Sequence, residues 1–162
     1  MFALPKERPN GLDSPITSVL IKWMSKAQVA VFRRSGGRIG STWRIGAGFH
    51  KPVPVLLLNH RGRVSGKQFT TPLLYMRDGA RFIVVGSQGG LPKDPQWCLN
   101  LQTHPETSVE LRERGVVRVR ARTAEPTERS RLWPQLVELY ADFASYQTWT
   151  DRQIPVVILE PY

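Results

Sequence analysis

Between residues 61 and 67 the chain reads Arg-Gly-Arg-Val-Ser-Gly-Lys, two glycines set among three cations and a hydroxyl. Glycine lets backbone N–H groups converge on one anion, while Arg63, Ser65 and Lys67 add charged and hydroxyl donors, the set a phosphate or carboxylate needs. The loop is not a Walker A sequence, because the spacing from Gly62 to Gly66-Lys67 is one residue short and Gln68 stands where Ser or Thr is required. The same residues also describe an ordinary solvated hairpin turn.

Three further groups invite a chemical reading, each beside a plainer one. In Ser87-Gln-Gly-Gly-Leu-Pro-Lys-Asp-Pro-Gln-Trp97 a strand runs through a glycine-rich loop into a helix start capped by Asp94-Pro95. Unpaired N–H groups there favour an anionic or electron-rich ligand, and Trp97 could wall a planar ring or simply fill the core. Tyr140, Phe143, Tyr146 and Trp149 recur every three residues, which places them on one helical face, either as core or as a pocket in which a tyrosine hydroxyl orients a carbonyl. Arg118, Arg120 and Arg122 alternate with Val117, Val119 and Ala121, as on the solvated outer face of a strand, and Arg112 and Arg114 precede them. No aromatics interleave with these arginines, as a nucleic-acid track would prefer. One cysteine, Cys98, and the scattered His50, His60 and His104 give no metal-ligand cluster. With no Ser/His/Asp order and no paired carboxylates, side chains alone carry no evident reaction, and an enzyme built this way works through a bound cofactor.

The elements that must position these groups follow from periodicity. Residues 1–13 are Pro-rich and unpatterned, a flexible arm, and 14–162 form a single domain. Ser14-Pro15 opens an amphipathic helix on which Ile16, Val19, Leu20, Trp23, Met24, Ala27 and Val31 share a face opposite Lys22 and Lys26, and Gly36-Gly37 ends it. A Gly- and Arg-rich loop continues to Lys51. Strands are expected over Val53–His60, Gln68–Met76 and Arg81–Ser87. Pro72 lacks an N–H and so places its strand at an edge or a bulge. A short helix to Gln102, strands over Thr107–Arg112 and Val116–Arg122, a helix from Thr127 kinked at Pro134, a helical segment over Phe143–Trp149 and a last strand over Ile154–Glu160 complete the chain. About six antiparallel strands with interposed helices fit a small barrel better than a parallel sheet.

Composition narrows the function classes. Of 162 residues, 41% are apolar and 22% charged, which suits an ordinary folded domain and not a disordered chain. A single cysteine excludes an internal disulfide and points to a reducing compartment. The longest apolar run, Val53 to Leu58, is too short to span a bilayer, and no signal-peptide core precedes it, so the expectation is a cytoplasmic protein or one lying on a membrane surface. The net charge is +10, and it is unevenly placed. Residues 1–67 hold 12 Lys and Arg against Glu7 and Asp13, whereas 68–162 hold 11 of each sign. The first two fifths of the chain therefore face something anionic.

The run Gly62-Arg-Val-Ser-Gly-Lys67 followed by Thr71-Pro-Leu-Leu-Tyr75, Arg77-Asp-Gly79, Ser87-Gln-Gly-Gly90, Lys93-Asp-Pro-Gln-Trp97 and Leu99-Asn-Leu101 resembles the deazaflavin-dependent nitroreductase and quinone reductase family. Tyr146-Gln-Thr-Trp-Thr-Asp151 and the ending from Ile154 to Pro161 agree, and the resemblance covers about residues 14–161. It implies a split β-barrel like that of flavin-binding reductases, with coenzyme F420 as hydride donor to quinones, enones or nitroimidazoles. It further implies that Arg63, Val64, Ser65 and Lys67 face the cofactor's anionic tail and that Thr70, Thr71, Pro72, Leu73 and Leu74 line its edge. Ser87, Gln88 and the segment Gln96, Trp97, Cys98, Leu99 and Asn100 would hold the ring. Leu74, Tyr140, Phe143 and Tyr146 would receive the substrate, with Ser87, Tyr140 or Tyr146 assisting protonation and no metal required. Val64, Gln88 and Phe143 depart from residues common in that family. The resemblance also gives residues 15–34 a meaning as a peripheral membrane contact near a lipid-soluble quinone, beside that of a helix capping the barrel. A monomer or homodimer is expected, with no nucleic-acid partner. Read without the resemblance, an FMN-binding reductase, a non-catalytic cofactor carrier and a basic nucleic-acid-binding barrel stay open.

Overall fold

Ser14 opens the first helix as its sequence requires: Ser14 Oγ accepts the Thr17 N–H at 3.2 Å, and Pro15 takes the first helical position, where no N–H is needed. This helix, α1, spans Pro15–Arg34, and the chain turns away through Gly36 and Gly37, both at positive φ. The computed structural model describes residues 5, 7–11, 13–46 and 51–162. Of the arm expected at 1–13, residues 1–4, 6 and 12 lie outside that description, as do residues 47–50, His50 among them.

After α1 come β1 (Thr42–Trp43), β2 (Val53–Arg61), β3 (Gln68–Asp78) and β4 (Arg81–Val85). Then follow α2 (Gln96–Thr103), β5 (Glu106–Leu111), β6 (Gly115–Thr123), α3 (Pro126–Leu139), α4 (Asp142–Thr148) and β7 (Val156–Pro161). All strand pairs are antiparallel, in the order β1-β2-β3-β4-β7-β6-β5, and β2 also pairs with β5 through Leu57↔Glu110 and Leu58↔Val109. That pairing closes β2 to β7 into the expected six-stranded barrel, with β1 attached outside the ring.

Burial on both faces explains why β2, β4 and β7 read as apolar runs and not as alternations. Leu56, Leu58, Phe82, Val84, Val157 and Leu159 fill the barrel. Their neighbours Ile83, Val85, Val156 and Ile158 point outward, under Leu132 and Leu136 of α3 and Phe143 of α4. Leu57, outward on β2, lies under Val29 and Phe32 of α1. The β6 arginines form the solvated face read from the sequence, where Arg120 pairs with Glu106, and Arg122 with Glu128 and Glu160.

Several expectations need correction. The loop before Lys51 contains a seventh strand, β1, because Thr42 and Trp43 pair with Pro54 and Val53. Asp94 does not cap α2. The N-cap is Pro95, and the Asp94 carboxylate is instead taken by Arg152 at 2.7 Å. α3 runs through Pro134 as one helix, opened by a capping box in which the Glu128 carboxylate accepts the Glu125 N–H. Tyr140 is the extended C-cap of α3, so it shares no helical face with Phe143 and Tyr146 of α4. On α1 the buried residues are Val29 and Phe32, whereas Ile16, Val19, Leu20, Trp23 and Met24 are exposed. Only the C-terminal part of the helix caps the barrel. Arg33 fastens that part by bonding to Glu110, Asn59 and Thr70.

Candidate active site

β3 has 11 residues and β4 only 5, and their pairing runs from Tyr75↔Val84 to Asp78↔Arg81. The stretch from Gln68 to Leu74 is paired with β2 on one side and, among the described residues, with no strand on the other. Pro72 lies within it, where a missing N–H leaves no ladder bond unmade. Here β3 extends beyond its pairing with β4 and presents an open edge.

At one end of the edge stands the basic turn. Gly62 N–H donates to Lys67 O at 2.8 Å, Gly66 N–H donates to Gly62 O at 2.9 Å, and Lys67 N–H donates to Ser65 Oγ at 3.3 Å. Gly66 takes φ +67, a conformation that favours glycine, and Gly62 packs so closely that a Cβ there would come within 2.6 Å of Ser65 Oγ. The turn is docked on α2: Arg63 N–H and Nη1 both donate to Asn100 Oδ1 at 3.1 Å, and Nη1 also donates to Gln96 Oε1 at 2.8 Å. Asn100 Nδ2 lies 3.0 Å from His60 Nδ1, and His60 Nε2 lies 2.9 Å from Thr71 Oγ1. Burial pushes the His60 imidazole down to about 4, so it is neutral at ordinary pH, and its ring stacks on Phe69.

Near the other end, β4 runs out through Gly86 into Ser87 and a 3-10 turn over Gln88–Gly90. Arg152 holds this loop. Its guanidinium donates to Leu91 O at 2.9 Å, Gly86 O at 3.1 Å, Ser87 O at 2.9 Å and Asp94 Oδ1 at 2.7 Å. Gln88 is a non-glycine residue at positive φ, 43°, and Gly90 approaches α4 so closely that a Cβ would lie 2.7 Å from Tyr146 O. The loop and α4 therefore hold one another in place.

Outside the barrel, Leu74, Tyr140, Phe143 and Tyr146 belong to one apolar cluster. Trp43 Nε1 donates to Tyr140 Oη at 3.3 Å, and the Tyr140 and Tyr146 hydroxyls share a hydrogen bond. Burial raises both phenols above their ordinary range, so both stay protonated, with Tyr140 donating and Tyr146 accepting. The backbone at Gly46 presses on the same group, and a Cβ there would lie 3.0 Å from Tyr140 Oη.

The expected site residues thus fall into three groups. Arg63, Gln96, Asn100 and Thr71 share one polar cluster. Ser87 and Gln88 sit on the clamped loop beside α4. Leu74 joins the aromatic residues. Strand alternation divides Thr70–Leu74 between two faces: Leu73 packs on the barrel core, whereas Thr70 bonds to Asn59 and Arg33 beneath α1. Trp97 is 6% exposed and packs inside the barrel with Cys98, whose thiol burial pushes far up. Their side chains serve the core, and α2 presents Gln96 and Asn100 to the turn. Val64 is 92% exposed. A cavity of about 210 Å³ beside Cys98, Leu101 and Pro155 includes no other expected site residue. His60, Arg152 and Trp43 were not singled out from sequence; a polar residue ending an apolar strand run was the one signal for His60.

A family model for F420H(2)-dependent quinone reductase matches residues 23–161. The chain belongs to the F420H(2)-dependent quinone reductase family. A Mycobacterium tuberculosis protein provisionally named an F420H(2)-dependent quinone reductase, Rv3178, is 53% identical over 120 residues, covering 73% of this chain and 98% of the relative. A solved F420-H2 dependent reductase, FDR-A, is similar at 39% identity with TM-score 0.59, over 66% of this chain and 94% of that one. Another structure, described as a domain-swapped dimer, is 32% identical with TM-score 0.63, over 86% and 98%. As a member of this F420H(2)-dependent quinone reductase family, the protein is an oxidoreductase that takes hydride from reduced coenzyme F420 and delivers it to a quinone. Its residues suit that cofactor. From Ser14 to Arg77 there are eleven Lys and Arg and no Asp or Glu, a local charge that suits an anionic group.

Proposed function

We propose that the unpaired β3 edge is the cofactor-binding edge, with Arg63, Ser65 and Lys67, seated on Gln96 and Asn100, taking the anionic tail of F420 and the Ser87–Gly90 loop taking its ring. The observation that carries this reading is the juxtaposition of that edge with an acid-free basic turn at one end and a rigid polar loop at the other. Bound F420 in its reduced form supplies the hydride. The protein's own part is to orient and to exclude water. Arg152 fixes Gly86, Ser87 and Leu91, Asn100 fixes Arg63, and the quinone enters beside Leu74, Phe143 and Tyr146. A carbonyl oxygen arriving there replaces Tyr146 as acceptor of the Tyr140 hydroxyl, which Trp43 holds in place and burial keeps protonated. Titrating F420 into wild type and Lys67→Ala at two salt concentrations tests the tail site. The variant should bind more weakly, with a shallower salt dependence, and unchanged affinity would place the tail elsewhere.

The exposed part of α1 supports a peripheral membrane contact at the inner face of the cell membrane. Ile16 is 82% exposed and Trp23 67%, with Lys22 and Lys26 beside them and no acidic residue on the helix. None of the described helices is long and apolar enough to cross a bilayer. Sedimentation with anionic and with neutral vesicles tests the contact: binding to the anionic set alone, lost in Trp23→Ser, supports it. A domain-swapped relative favours a homodimer, which light scattering of the purified protein decides.

A further inference from the structure

The cluster under the basic turn has a fixed hydrogen-bond direction, and the direction follows from one backbone group. Arg63 N–H can only donate, and so can the Arg63 guanidinium; both lie 3.1 Å from the same Asn100 side-chain atom. That atom is therefore the amide oxygen, which turns the Asn100 NH₂ toward His60 Nδ1 at 3.0 Å. An NH₂ has no lone pair to offer, so His60 Nδ1 accepts and is unprotonated. The single proton of the neutral ring then resides on Nε2 and is donated to Thr71 Oγ1 at 2.9 Å. Having accepted from His60, the Thr71 hydroxyl has its own proton to donate.

We propose that His60 is a positioning residue, held by Asn100 as its Nε2–H tautomer so that Thr71, on the unpaired β3 edge, is presented as a hydrogen-bond donor to a carbonyl or phosphoryl oxygen of the bound cofactor. The relay itself is read from the geometry alone, and its link to a ligand rests on the site proposed above. Asn100 thereby couples the basic turn to the β3 edge: the oxygen that seats Arg63 leaves the NH₂ that sets the His60 tautomer. Neither His60 nor Asn100 needs to touch the cofactor for this to matter.

Nitrogen NMR of ¹⁵N-histidine-labelled wild-type protein without ligand tests the relay directly. A buried ring with Nε2 protonated and Nδ1 bare is expected, and a Nδ1–H ring or an imidazolium at neutral pH overturns it. F420 affinity then tests the consequence. Thr71→Val should weaken binding by up to about tenfold, the loss of one hydrogen bond, and Thr71→Ser should restore it. His60→Gln keeps an acceptor and a donor in the same order and should bind F420 within a few-fold of wild type, whereas His60→Leu should match Thr71→Val. Circular dichroism confirms that each variant is folded. If Lys67→Ala weakens binding and Thr71→Val does not, the donor role of Thr71 is wrong. If neither does, the cofactor site is misplaced, whatever the tautomer.

Discussion

The Arg152 guanidinium donates to the carbonyl of Ser87 at 2.9 Å across 65 positions of sequence, and with Gly86, Leu91 and Asp94 it makes the loop after β4 depend on a side chain just before β7. A strand-to-helix connection rich in glycine has little structure of its own. Here one cation supplies it.

Replacing Arg152 by Met should destabilise the protein by about 1–3 kcal/mol, because three carbonyls and the Asp94 carboxylate lose their donor. Urea unfolding measures this. Hydrogen exchange should quicken at Gly86–Leu91 more than in β2, and F420 should bind more weakly. Uniform exchange across the chain would contradict the clamp.

Gly46 and Gly79 share a positive φ, +60 and +61, yet a Cβ at Gly79 meets nothing within 4 Å whereas one at Gly46 falls on the Asp142 carboxylate and the Tyr140 hydroxyl. Gly79→Ala therefore reports backbone strain alone, on the order of 1 kcal/mol, and Gly46→Ala should cost more and lower turnover as well. Equal unfolding midpoints for the two variants would show that the packing over Tyr140 is loose.

His60 gives a pH signature. Its folded pKa, about 4, lies below the ordinary value of 6.5, so the unfolded chain binds a proton that the folded one refuses. Stability is complete above about pH 6.5 and declines as the pH falls toward 4, by up to about 3 kcal/mol. The groups around the ring, Asn100, Thr71 and Phe69, do not titrate. Asp78 and Glu128, both held at about 2 by arginines, lose their contribution only at lower pH. His60→Gln should flatten the decline between pH 6.5 and 4.5 and leave the lower limb unchanged, as read from urea midpoints.

Tyr140→Phe removes the hydroxyl that joins Trp43 to Tyr146 and keeps the ring contacts with Phe143. Steady-state kinetics with menadione should show kcat lowered about tenfold or more with F420 affinity unchanged. A fall in affinity with kcat intact would mean that the hydroxyl serves binding.

How much of this was legible in the sequence differs by element. The barrel was, because Val53–Leu58, Phe82–Val85 and Val156–Leu159 are apolar enough to be covered on both faces, and Pro72 correctly marked an unpaired edge. β1 was not: two residues carry no periodicity, and their strand character comes from β2. The basic turn was visible as a turn, but its docking on Gln96 and Asn100 depends on Arg63 reaching α2, a tertiary fact. Thr70–Leu74 read as one lining, although alternation sends Thr70 and Leu73 to opposite faces. The Tyr140, Phe143 and Tyr146 series did mark a real cluster for the wrong reason, since one member sits off the helix. Asp94 looked like a cap because nothing local reveals that Arg152 claims it.

Every assignment above turns on this chain binding reduced F420 and passing hydride to a quinone. Anaerobic titration of the purified protein with F420, FMN and FAD, followed by menadione added to the complex with reduced F420, tests it most directly. Tight binding of F420 over both flavins and rapid return of the oxidised F420 absorbance on adding menadione are expected. Preference for FMN, or a bound reduced F420 that menadione does not oxidise above the protein-free rate, would contradict it.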